Sequence, residues 1–131
     1  MKGLLVGCVL ACGMPTCAGA DNFNKTASPG MEKPMHNYFS WDPKTCISKS
    51  GVVKLLIKPQ HGELTISLVD RIIEKSRFTD SMSVCAGKPI KSFQINYKSE
   101  PDFQGVDSFT VQATYGFKNR VVTDVFAITV R

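Results

Sequence analysis

One stretch constrains the fold more than any other. Tyr97 to Val111 reads Tyr-Lys-Ser-Glu-Pro-Asp-Phe-Gln-Gly-Val-Asp-Ser-Phe-Thr-Val. Before it, Phe93, Ile95 and Tyr97 alternate with Gln94, Asn96 and Lys98. Within and after it, Phe109, Val111, Ala113 and Tyr115 alternate with Ser108, Thr110, Gln112 and Thr114. A period of two marks strands with one face buried. Pro101, Gly105, Asp102 and Asp107 lie between the two runs. Pro101 fixes its φ, Gly105 is free to take a positive one, and Asp107 is able to accept hydrogen bonds from nearby backbone N–H groups. Phe103, at the loop centre, is expected to fold back and plug the end of a core.

The remaining chain supports an all-β reading. Val53, Leu55 and Ile57 alternate with Lys54, Leu56 and Lys58. Pro59-Gln60-His61-Gly62 turns the chain, and Leu64, Ile66 and Leu68 are expected to oppose the previous set across a hairpin. Cys46 to Lys49 is read as the first strand and Gly116 to Asn119 as the last hairpin turn. Val122, Phe126, Ile128 and Val130 line one face of the final strand, with Asp124 expected near an edge. No segment longer than about ten residues keeps a helical period. Six or seven short strands at turn-marked intervals argue an all-β Greek-key sandwich. Asp21 to Asp42 carries no period and is expected to be an extended N-terminal arm, leaving 43–131 as the sandwich domain.

These motifs resemble a known family. The cadherin-like and bacterial immunoglobulin-like repeats of secreted adhesins carry a Pro-x-His-Gly turn, here Pro59, His61 and Gly62. They then carry a Tyr, a Pro and a Phe-x-Gly-x-Asp-x-Phe core, here Tyr97, Pro101, Phe103, Gly105, Asp107 and Phe109. The resemblance covers roughly Gly51 to Arg131. It implies an Ig-like, cadherin-like sandwich of about seven strands, of bacterial origin. The chain has one copy rather than a tandem array, and a cysteine pair such repeats usually lack, so it looks like a single-domain exported relative.

Met1 to Ala20 reads as a signal peptide. Lys2 precedes a short apolar run, and Ala18-Gly19-Ala20 fits small-x-small cleavage before Asp21. The run is too short to span a bilayer, which takes about 20 apolar residues. Cys8 and Cys12 sit in loose lipobox-like contexts, so a lipid anchor is the alternative. Of 131 residues, removing 20 leaves 111, one domain with room for its own core. The net charge falls from +5 to +4 as Lys2 leaves. The basic residues are scattered rather than striped, which argues against nucleic acid as a partner. Cys46 and Cys85 remain, and an oxidising compartment allows them one structural disulfide. The alternative is a redox or metal pair, but no Cys-x-x-Cys spacing supports it.

Candidate chemistry is sparse. Met31, Met35 and His36 have the softness that suits copper. Glu100, Asp102 and Asp107 suggest a calcium loop, without the six to eight oxygens calcium wants. His61 has Glu63 two positions on, a weak acid–base pairing. No nucleophile elbow, phosphate loop or zinc-spaced set stands out, so no enzyme activity and no cofactor are expected. Tyr38, Phe39 and Trp41 cluster before the first strand. Phe117 sits on a hairpin tip beside Lys118 and Arg120. These aromatics suit either a plug over the sandwich end or a face for a protein or glycan. The expectation is an exported, periplasmic or extracellular, non-enzymatic domain that binds a cell-envelope protein or surface glycan. A small copper-handling protein, or an inhibitor presenting the 74–88 loop to a secreted enzyme, are the alternatives.

Overall fold

The structure is a computed structural model that describes residues 20–74 and 84–131. The proposed leader and the interior of the 74–88 loop therefore lie outside the described residues, apart from the backbone of Ala20. Among the described residues seven strands form two sheets: β1 (Ala20–Ala27), β2 (Lys33–Tyr38), β3 (Val52–Ile57), β4 (Gly62–Ile72), β5 (Pro89–Ser99), β6 (Gly105–Thr114) and β7 (Val121–Val130). One sheet runs β1-β7-β6-β3 and the other β2-β5-β4. Every pairing is antiparallel except β1 with β7, which is parallel. The fold is an all-β, Ig-like Greek-key sandwich with one disulfide, Cys46–Cys85. Among the described residues no helix is long and apolar enough to cross a membrane.

The alternating residues of the longer strands build the core. Ile95 and Tyr97 of β5 face Phe109, Val111 and Ala113 of β6 and Val122, Phe126, Ile128 and Val130 of β7. Phe109 stacks on Phe126 at 4.7 Å between centroids, and Phe126 on Phe23 of β1 at 4.9 Å.

Four expectations are corrected. The stretch 21–42 is no arm: it supplies β1 and β2, and Met35 and Tyr38 from it are buried in the core. Its period was hidden because both strands are edges and one carries a bulge at Pro34/His36. Pro34 is tolerated there because an edge strand can spare a donor. Cys46 to Lys49 forms no strand, only an isolated bridge from Ser48 to Trp41. Pro59 to Gly62 closes no hairpin, since β3 pairs with β6 and β4 with β5; the chain crosses between sheets. Asp124 is not at an edge: β7 lies between β1 and β6, and the side chain is 2% exposed.

The family-like motif closes one end of the sandwich. The Asp107 carboxylate accepts from the backbone N–H groups of Gln60 and His61, both at 3.0 Å, and from Tyr97 Oη at 2.8 Å. It also accepts from the Ser108 N–H at 2.9 Å. Burial, then the hydrogen bond to Asp107, raises the Tyr97 phenol above its ordinary value. Phe103 stacks on His61 at 4.2 Å, so the loop aromatic does fold back over the core's end. Gly105 sits at φ +137°, where side chains are rarely found, and a Cβ there would meet the Phe103 ring at 3.3 Å. The Pro101 turn is joined to the other crossover by the Glu100 N–H, which donates to His61 O at 2.9 Å.

Candidate functional site

The other end of the sandwich gathers three connections: β2 to β3, β4 to β5, and β6 to β7. Two ties hold them. Cys46 and Cys85 join the first to the second, with Cα atoms 5.2 Å apart. Ser40 joins the first to the third: its Oγ donates to Lys49 O at 2.8 Å and accepts from the Phe117 N–H at 3.2 Å. Gly51 lies so close to the β6 end that a Cβ would meet Thr114 O at 1.6 Å. The β6–β7 turn takes Lys118 and Asn119 to positive φ, 65° and 51°. Paired left-handed residues match the twist of a tight hairpin.

Under the disulfide lies a second, small core of Ile73, Cys85 and Ile90, packed by Phe39, Trp41 and Cys46. Phe39 and Trp41 stack there at 6.2 Å with 12° between planes, and the Arg71 guanidinium lies 5.7 Å over Phe39. Each ring is only half-buried. The remaining faces of Phe39 and Trp41, with Phe117, line a cleft of about 620 Å³. Tyr115, Lys118 and Arg120 lie on its rim, and no acidic side chain among the described residues lines it. Lys118 Nζ sits 5.4 Å over Phe117, and the Arg120 guanidinium 5.7 Å over Tyr115. Cations over ring faces are held there by the ring quadrupole. Burial, then Asp124, raises the Tyr115 phenol, while Arg120 opposes them.

Three of the four aromatics singled out for partner binding meet here. Tyr38 does not: strand alternation turns it into the core, where its hydroxyl donates to Asp124 Oδ2. Burial, then that hydrogen bond, raises its pKa far above the ordinary phenol value. Asp124 Oδ1 has no hydrogen-bond partner among the described residues. The copper candidates are separated by environment. Met35 is 4% exposed in the core, Met31 is 62% exposed, and His36 packs between Phe23, Tyr38 and Phe126. Asp107 spends its carboxylate on the four donors above, leaving Glu100 and Asp102 exposed beside it. Among the described residues no group of three His, Cys, Asp or Glu is placed to hold a metal ion. His61 has Glu100, not Glu63, nearest, Nδ1 to Oε1 being 3.9 Å.

Ser40 and Arg71 carried no signal in the sequence, and Tyr115 was read only as the end of an alternating strand. Ser40 and Phe117 are 77 positions apart, and only the loop packing makes them neighbours.

No protein-family model matches the chain, and no curated protein matches its sequence. Solved structures match at low similarity. PbICP-C, seen in complex with falcipain-2, is 10% identical at a TM-score of 0.44, over 86% of this chain and 89% of that one. A family 123 glycoside hydrolase from Clostridium perfringens is 15% identical at 0.45, over 83% of this chain and 22% of that one. Amebosin is 12% identical at 0.39, over 86% and 98%. Likeness at this level says nothing of function or partner.

Proposed function

We propose that the protein is an exported, non-enzymatic binding module of the Ig-like, cadherin-like kind. Its partner is a cell-envelope protein or surface glycan, taken in the cleft between the β2–β3 loop and the β6–β7 hairpin. The observation that carries this is the gathering of Phe39, Trp41 and Phe117 under a cationic rim, on loops that a disulfide and a serine hold rigid. Half-buried aromatics fixed by packing lose little entropy on binding, which is what makes them good anchors. Export rests on the leader-like Met1 to Ala20 and on a disulfide that belongs to an oxidising compartment.

Trp41 is the single tryptophan, so its fluorescence reports from the cleft itself. A photo-crosslinker at position 117, applied to an envelope fraction, and a glycan array would identify the partner. Titrating that partner should shift Trp41 emission. Trp41→Ala and Phe117→Ala should weaken binding at least about tenfold. Unchanged binding in both variants, with an unaltered circular dichroism spectrum, would sink the proposal.

A second reading draws on the grouping of three connections at one end. Three loops tied together at one end suit presentation to an enzyme, and one of them, the 74–88 loop, is fastened to the β2–β3 loop through Cys85. If the protein inhibits a secreted enzyme, nicking within 74–88 should abolish inhibition while the disulfide-bonded sandwich stays folded. Inhibition that survives the nick rules that loop out.

A further inference from the structure

The flank of the sandwich where β3 and β4 run as edges differs from the opposite one. Phe23 of β1 meets His36 of β2 at 4.8 Å, so those two edges share a flank and β3 and β4 share the other. On β4, Ile66 lies opposite Ile95 and Leu68 opposite Phe93. Residues directly opposite in a ladder project from the same face. Ile95 is wholly buried in the core, so Ile66 and Leu68 project toward the interior as well. Yet they are 37% and 53% exposed, and Ile72 is 60% exposed. Leu56 and Ile57 of β3 add to the same flank, 50% and 60% exposed.

Edge strands usually carry protection against pairing: a bulge, a proline or an inward charge. The β3 edge has a bulge at Leu55/Ile57 and Lys54. The β4 edge has neither bulge nor proline, Asp70 is its one charge on the inward face, and its eleven residues keep unbroken register with β5. It is a long, regular edge whose apolar face nothing among the described residues covers.

We propose that β4 pairs antiparallel with β4 of a second copy, making a two-fold dimer with a continuous six-stranded sheet. Full overlap fixes the register, because Gly62–Ile72 has Ser67 at its middle. Ile66 then faces Leu68 of the second copy, and Glu63 faces its Arg71. The two-fold axis repeats both pairs. Opposite charges and apolar pairs across a ladder are each favourable, and no like charges meet in this register. Thr65 falls against Val69 and Leu64 against Asp70; Asp70 is already engaged by Lys91 of β5, and Arg71 reaches Glu63 of the second copy from its place over Phe39. Complementarity in the single register that uses the whole strand is what selects a second copy as occupant. The dimer would carry two clefts at opposite ends of the shared sheet. It is independent of what those clefts bind.

Sedimentation velocity on the purified protein, from micromolar to millimolar, should show a monomer–dimer equilibrium. Leu68→Lys should raise the dissociation constant at least about tenfold. Glu63→Arg should weaken the dimer and the double variant Glu63→Arg/Arg71→Glu should restore it. Ser67→Cys should form a disulfide-linked dimer on mild oxidation, since its twin lies directly across the axis. Thr65→Cys, two residues off the axis, should not. A monomer at every concentration, or a dimer indifferent to Leu68→Lys, overturns the proposal. If a monomeric Leu68→Lys variant also lost thermal stability, that face would belong to the chain's own 75–83 segment instead.

Discussion

Remove the Asp107 carboxylate and four donors lose their acceptor at once: Tyr97 Oη and the N–H groups of Gln60, His61 and Ser108. Each buried donor left unmet costs about 1–3 kcal/mol, so Asp107→Ala should cost at least about 3 kcal/mol, read as a lower urea midpoint. Asp107→Asn keeps one acceptor oxygen and should cost less. A second residue links the fold to pH. Burial holds the His36 imidazole below its ordinary value; Lys25 adds to that and Asp124 and Asp21 oppose it. The unfolded chain takes up the proton near pH 6.5, while the folded chain resists until a lower pH. Stability should therefore fall as pH drops below about 6.5, and level off once the folded histidine is also charged. Thermal melts across pH 5 to 7.5 should show this slope, and His36→Phe should flatten it. Asp107's capping role was readable from the sequence, because an aspartate beside a glycine in a tight loop has few other uses. Asp124 was misplaced. Its partner Tyr38 lies 86 positions away, and sequence does not reveal that β7 is flanked on both sides.

At the scale of elements, the strands that alternate were legible and those that pair by crossover were not. β5, β6 and β7 carry most of their large core side chains at every second position, so a period of two survives in the sequence. β1 and β2 are polar edges that bury few side chains, and β1 pairs with the far end of the chain. No local pattern announces a parallel partner some hundred residues away. The Pro59–Gly62 turn was visible as a turn, but a turn between sheets and a hairpin use the same residues. The cleft was half legible: the aromatics were found, while Phe39 and Trp41 were read as the end of an arm and Cys46 to Lys49, further along the same loop, as a strand. Of the links between elements, the disulfide spans 39 positions. In the chain-entropy model, closing such a loop contributes about 4 kcal/mol. Reducing it should lower the melting temperature by several degrees or more, and should also weaken any partner binding, since Phe39 and Trp41 pack against Cys46 and Cys85. If binding persists in the reduced, folded protein, the disulfide serves stability alone.

For the molecule as a whole, the two ends of the sandwich are built on different terms. One end is locked by a buried carboxylate and a stacked His61–Phe103 pair. The other is a set of tied loops with half-open rings, and it is there that sequence change would be cheapest for the fold and dearest for binding. The parallel β1–β7 pairing adds a direction. Ala20 is in register with Thr123, just past the hairpin that carries Phe117, while the Arg131 N–H donates to Ala27 O at the far end. The eight residues of β1 put about 25 Å between those ends. Ala20 and the cleft thus share one pole of the sandwich, and Arg131 lies at the opposite one. Captured through its C-terminus on a sensor surface, the protein should present the cleft outward and give full partner signal. Captured through its N-terminus, it should give a weakened one. The same polarity sets the aromatic loops and the end of the last strand at opposite poles, so a tether at one leaves the other free.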